Sequence, residues 1–145
     1  MDWIPKIERQ SQADIIALQE RKLREVLAYV NEHSQFYKLL FEQHHIRIED
    51  IKTLPDLRKL PTTCKDDLQR NNDAFRCVPK SAIVDYASTS GTLGMPVTFG
   101  LTDKDLERLA YNEAISLACA GIKKGDVVQL MTTIDRRFMA AWLIF

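Results

Sequence analysis

Ser88-Thr89-Ser90-Gly91-Thr92-Leu93-Gly94-Met95-Pro96 gathers Ser and Thr hydroxyls, two glycines and a closing proline into one short stretch. It follows the apolar-aromatic run Ala82-Ile83-Val84-Asp85-Tyr86-Ala87 and precedes Val97-Thr98-Phe99, so it reads as a loop joining two strands. Glycine lets the backbone turn through positive φ and brings main-chain N–H groups close to a ligand, while the hydroxyls add donors along the same arc. Such a bend suits an anion, with phosphate the natural guest. No Gly-Lys-Ser/Thr ending makes it a Walker A loop, and no G-x-G-x-x-G makes it a dinucleotide fingerprint. A solvated hairpin loop is the other reading, since clusters of Ser, Thr and Gly are ordinary turn chemistry.

Downstream, Thr102 and Asp105 have the spacing of a capping box with Asp in place of the usual Glu. They predict a long helix to about Ala120 carrying Leu106, Leu109, Ala110, Leu117 and Ala118, with Gly121 placed to end it. Lys123-Lys124-Gly125-Asp126 reads as a turn, and Val127-Val128-Gln129-Leu130-Met131 as a buried strand, after which the pattern turns helical again. Strand, long helix, strand, helix is the rhythm of an α/β domain with a largely parallel sheet. Arg137 to Phe145 is an apolar run with no cap or polar exit, which predicts a fragment of a longer protein, cut inside a helix.

Upstream, residues from Gln12 to about Asn31 form an amphipathic helix, with Ile16, Leu23, Val26, Leu27 and Val30 on one side. Glu20 to Arg24 and Arg21 to Glu25 have the spacing of supporting pairs on a solvated face. Ser34 caps a second helix bearing Phe36, Tyr37, Leu39, Leu40 and Phe41, and the two helices are expected to pack as a hairpin. His33, His44 and His45 read as surface or helix-end histidines, because no acidic or thiol partner sits at ligand spacing. Pro55 and Pro61 punctuate a connector, after which Thr63 is the expected N-cap of a short helix with Asp66 and Asp67 in its first turn. The whole is therefore α/β: an N-terminal helical region and connector over residues 1–80, then the start of a sheet flanked by helices over 81–145.

With 145 residues, 46% apolar and 28% charged, the chain can bury a real core. A formal net charge of zero gives no electrostatic footprint for nucleic acid or an anionic membrane, and neither is an expected partner. No basic segment leads a long apolar one at the N-terminus, and no run approaches the roughly 18 apolar residues of a membrane span. Cys64, Cys77 and Cys119 lie far apart without a C-x-x-C, which reads as free thiols in a reducing cytoplasm. Cys119, on the long helix, is expected in the core rather than as a nucleophile.

The order Thr89-Ser90-Gly91-Thr92-x-Gly94-x-Pro96 resembles the phosphate-binding signature of the adenylate-forming enzymes. His33-Ser34-x-Phe36-Tyr37 and Leu60-Pro61-x-Thr63-x-Lys65-x-Asp67-Leu68, ahead of it, resemble the N-terminal region of the phenylacetate-CoA ligase group within that superfamily. The resemblance implies that a carboxylate attacks the α-phosphate of ATP to give an acyl-adenylate, whose acyl group then passes to the thiol of CoA. Carried over by position, Thr89, Ser90, Gly91, Thr92 and Gly94 would hold the leaving phosphates, with Mg2+ sharing their charge and no metal ligand assigned in this chain. Leu93 stands where the family often has a second Thr, and Met95 where Lys is frequent. The family's adenine, acidic, ribose and C-terminal lysine motifs have no counterpart before Phe145, so catalytic residues are expected beyond it and the segment alone is expected to be inactive. Its exposed apolar end, with an unfilled sheet edge and an orphan helix, predicts that the isolated segment self-associates. A non-catalytic binding or interaction module is the alternative.

Overall fold

The computed structural model describes residues 5–89, 95–129 and 131. They fall into two compact units, one of Pro5–Pro79 and one containing the chain from Lys80 onward.

In the first unit, α1 (Gln12–His33) starts at Ser11, whose hydroxyl accepts the Asp14 N–H at 3.2 Å. It stops at Ser34, which serves two helices. The Ser34 N–H donates to Val30 O at 2.9 Å to close α1, and its Oγ accepts the Tyr37 N–H at 3.3 Å to open α2 (Gln35–Gln43). Chain reversal is thus written into one residue, as the hairpin expectation required. The far end of α2 closes with His45 at φ 54°, where Ile46 N–H reaches Phe41 O at 2.8 Å and His45 N–H reaches Glu42 O at 3.1 Å. That is a Schellman ending with histidine in the left-handed position glycine usually takes, so His44 and His45 lie at a helix end.

Leu27 of α1, Phe41 of α2 and Ile51 of the connector make the buried core, with Leu23, Val30, Tyr37, Ile46, Ile48 and Leu60 packed around them. Val26 and Ile16 of the expected apolar side are exposed instead. Arg21 pairs with Glu25 at 2.8 Å as its spacing suggests. Glu20 and Arg24 reach further: Glu20 Oε1 accepts the Leu54 N–H at 3.3 Å, and Arg24 Nη1 donates to Lys52 O at 2.8 Å. The connector holds short 3-10 turns at Ile48–Asp50 and Leu54–Lys59, the second begun by Pro55 and capped by Asp56. Asp56 Oδ2 accepts from Thr53 N–H at 2.9 Å, while its Oδ1 accepts from Lys59 Nζ at 2.6 Å.

Helix α3 (Lys65–Asn71) begins one residue later than the sequence suggests, with Cys64 rather than Thr63 at its N-cap. What caps it is Asp67, whose carboxylate accepts the Cys64 N–H at 2.8 Å, so the acidic residue fixes the start and a hydroxyl before it is not needed. The 3-10 turn Asn72–Phe75 then returns the chain to α2. Phe75 stacks on Phe36 with ring centroids 3.8 Å apart and meets Tyr37 edge-on at 5.5 Å. Ser34 Oγ donates to Ala74 O at 3.0 Å.

The second unit holds a turn at Lys80–Ala82, then β1 (Asp85–Ser88) and β2 (Thr98–Leu101), followed by α4 (Asp103–Cys119). The strands pair antiparallel, with Asp85 opposite Leu101 and Ser88 opposite Thr98. Among the described residues this hairpin is the whole sheet, so the parallel pairing expected from the strand–helix–strand rhythm is not formed. Val127, Val128, Gln129 and Met131 are not in a strand, and Val127 is 99% exposed. A strand is made by a neighbour's ladder, and the described residues offer none there. Helix α4 has the predicted capping box, Thr102 Oγ1 accepting the Asp105 N–H and Asp105 Oδ2 the Thr102 N–H. It ends at Gly121 with φ 89°, where Ile122 N–H reaches Leu117 O. No residue of α4 is fully buried, and Cys119 is exposed rather than in a core; among the described residues α4 packs against β2. The expected helix after Thr133 lies outside the described residues.

Candidate functional site

The hairpin places the ends of the hydroxyl- and glycine-rich loop side by side. Ala87 and Val97 are both buried, Val97 at 2% exposure, and they anchor the last turn of ladder before the chain leaves the sheet. At that point Thr89 N–H donates to Val97 O at 3.0 Å. The reciprocal bond is made by a side chain: Val97 N–H donates to Thr89 Oγ1 at 3.0 Å. Pro96, just before Val97, has no N–H of its own, so Val97 supplies the first amide after the bend.

Of the sequence-predicted site residues, Thr89 therefore sits at the neck of the loop, while Ser90, Gly91, Thr92 and Gly94 lie outside the described residues. Met95, at the position where a lysine is frequent in the resembling family, is exposed. At the neck the Thr89 hydroxyl oxygen accepts a main-chain bond, which leaves its own hydrogen available to donate. Sequence reasoning missed Val97, which it read only as strand. The signal available was a β-branched residue directly after a proline, where the amide that follows must find an acceptor.

Gly100 allows Ile83 to lie across β2, since a Cβ there would come 2.7 Å from Ile83 Cδ1. Thr102 follows β2 at once, so the hairpin feeds straight into α4. Burial pushes the Asp105 carboxyl up, but the Thr102 hydrogen bonds and the nearby Arg108 outweigh it and leave it below the usual carboxylate range.

The other two motifs fall in the helical unit and build its frame. Ser34 is 1% exposed and Phe36 and Tyr37 clamp Phe75, while Asp67 caps α3. Burial raises the Cys77 thiol pKa, only partly offset by a hydrogen bond with Ser34. An open concavity of about 410 Å3 in this unit, floored by Ala28, Ile48 and Ile51 and edged by Arg24, Glu49 and Lys52, contains none of the predicted site residues. Among the described residues no cluster of His, Cys, Asp and Glu could hold a metal ion, and no helix is long and apolar enough to cross a membrane.

Against this geometry, no family model matches the chain. Individual proteins do. Phenylacetate-coenzyme A ligase of Aromatoleum evansii is 34% identical over 126 residues, covering 86% of this chain and 28% of that protein. The enzyme of the same name from Thermus thermophilus is 35% identical over 127 residues, with the same coverage of each. This chain is phenylacetate-CoA ligase-like, of the adenylate-forming superfamily. A crystal structure of 2-hydroxyisobutyryl-CoA ligase in complex with 2-HIB-AMP and CoA superposes with a TM-score of 0.74 at 30% identity, over 81% of this chain and 26% of that one. The α/β assignment agrees with that match. This phenylacetate-CoA ligase-like chain spans about 28% of the length of the curated relatives it matches.

Proposed function

We propose that this segment supplies the phosphate-binding hairpin of an ATP-dependent acyl- or aryl-CoA ligase, a protein of its relatives' full length that adenylates a carboxylic acid and passes the acyl group to CoA. The observation that carries the reading is a hairpin whose register brings the two ends of the Thr89–Pro96 stretch together in a chain similar to named CoA ligases. Hydroxyls of Ser90 and Thr92 and backbone amides around Gly91 and Gly94 would take the charge that builds on departing pyrophosphate. The donors are neutral and the loop has no carboxylate, so Mg2+ would be held through the nucleotide phosphates rather than by this stretch. Leu93 and Met95 remove one hydroxyl and one ammonium relative to the family pattern, leaving more of the work to backbone amides. Taken alone, the segment binds phosphate without catalysing adenylation.

The test is carboxylate-dependent exchange of pyrophosphate into ATP by the full-length protein, across a panel of aryl and fatty acids. Exchange with at least one acid is expected, and Ser90→Ala with Thr92→Ala together should cut it about a hundredfold. Silence with every acid would overturn the enzyme reading in favour of a non-catalytic module. Unchanged exchange in the double variant would remove these hydroxyls from the phosphate site.

A further inference from the structure

The hydroxyl of Thr89 stands in the place of a main-chain carbonyl. An antiparallel pair at Thr89 and Val97 would exchange two backbone bonds; here the first is present, Thr89 N–H to Val97 O at 3.0 Å, and the second runs from Val97 N–H to Thr89 Oγ1 at 3.0 Å. This substitution releases the Thr89 carbonyl from the ladder and lets the chain leave the sheet one residue after β1. It also satisfies an amide that belongs to a residue only 2% exposed and that would otherwise be buried without a partner.

We infer that Thr89 is a positioning residue: through Val97 it fixes the span between the two ends of the loop, and with it the geometry in which the loop's donors meet phosphate. Resting on the proposed phosphate-binding role, the inference separates Thr89 from Ser90 and Thr92. Its oxygen is engaged as an acceptor within the fold, so its main effect on a ligand is exerted through the neck. Without the hydroxyl the buried Val97 amide has to seek another acceptor, and the two ends part.

Thr89→Val keeps the branched shape and deletes the acceptor; Thr89→Ser restores the acceptor and deletes the methyl. In the full-length protein, Thr89→Val should raise KM for ATP about five- to tenfold, from loss of one buried hydrogen bond, with KM for the carboxylic acid unchanged. Thr89→Ser should return KM for ATP to within about twofold of wild type. Mass-resolved hydrogen exchange of the peptide containing Val97 should speed up in Thr89→Val and stay slow in Thr89→Ser. In a Ser90→Ala background the Thr89→Val effect should shrink, because a neck that orients a missing donor has less to orient. Equal defects in both Thr89 variants would make the methyl, not the hydroxyl, the working part and overturn the inference, as would full additivity with Ser90→Ala. If wild-type exchange activity is absent, the functional reading fails, and the neck is then judged by the Val97 peptide alone: unaltered protection in Thr89→Val overturns it.

Discussion

Replacing Ser34 by alanine probes a buried polar group that ties α2 to the turn at Asn72–Phe75. The residue is 1% exposed; besides its contact with the Cys77 thiol, its hydroxyl accepts from Tyr37 N–H at 3.3 Å and donates to Ala74 O at 3.0 Å. Loss of the N-cap costs about 1 kcal/mol. Loss of the bond to Ala74 adds about 1 kcal/mol, since the part-buried Ala74 carbonyl then loses the hydroxyl that donates to it. Together they amount to about 2 kcal/mol, which at a urea dependence of about 2 kcal/mol/M lowers the unfolding midpoint by about 1 M. Far-UV circular dichroism reads this directly, because α1 and α2 carry much of the helix. Ser34→Gly separates the parts: glycine is tolerated at an N-cap to within a few tenths of a kcal/mol, so that variant should lose about half as much. A midpoint for Ser34→Ala within about 0.2 M of wild type would refute the reasoning. So would a Gly variant no better than the Ala one.

Gly100→Ala should destabilise the hairpin by about 1–2 kcal/mol, since the new methyl meets Ile83 Cδ1 at 2.7 Å and Cγ1 at 3.1 Å. Ile83→Val removes the nearest atom, so the double variant should recover most of that loss; strict additivity in the thermal melts would contradict the contact. Acid should unpick the caps in a defined direction. Asp56 is held low by Lys59 and then Thr53, Asp67 by the Cys64 N–H, and Asp105 by Thr102 and Arg108 against its burial. Each folded-state pKa thus lies below the unfolded value of about 3.9, the folded state binds fewer protons, and the stabilisation is complete above that value and lost as pH falls through the folded one. Helix content should stay level from neutral pH to about pH 4 and decline below it. Asp105→Asn should flatten the part of the decline that belongs to α4, as followed by amide exchange; an unchanged decline there would exclude Asp105 as its cause.

What the sequence disclosed were the features that act within a few residues. Ser34, the Thr102–Asp105 box, Gly121 and the position of the loop between two strands are all settled by local hydrogen bonding and φ preference, and the structure has them in place. What it did not disclose depends on partners far along the chain. Val127 to Met131 has strand composition, yet composition cannot create a neighbour. Glu20 and Arg24 have helix-pair spacing, yet Lys52 and Leu54 offer them backbone partners. Cys119 sits on a helix whose apolar side reads as core, yet it is exposed. The neck of the loop belongs to the same class: nothing within β1 announces that Thr89 Oγ1 will serve Val97.

The contacts of Glu20 and Arg24 carry a lesson for engineering this chain. Recharging Arg21, Lys22 or Glu25 to tune solubility alters solvent-facing pairs of small worth. The same edit one position earlier, or at Arg24, unbuckles a strap that closes over 28 to 34 residues of intervening chain. Two side chains with the look of ornament are fasteners, and a surface redesign that treated the whole charged stripe alike would loosen the unit while leaving its core untouched.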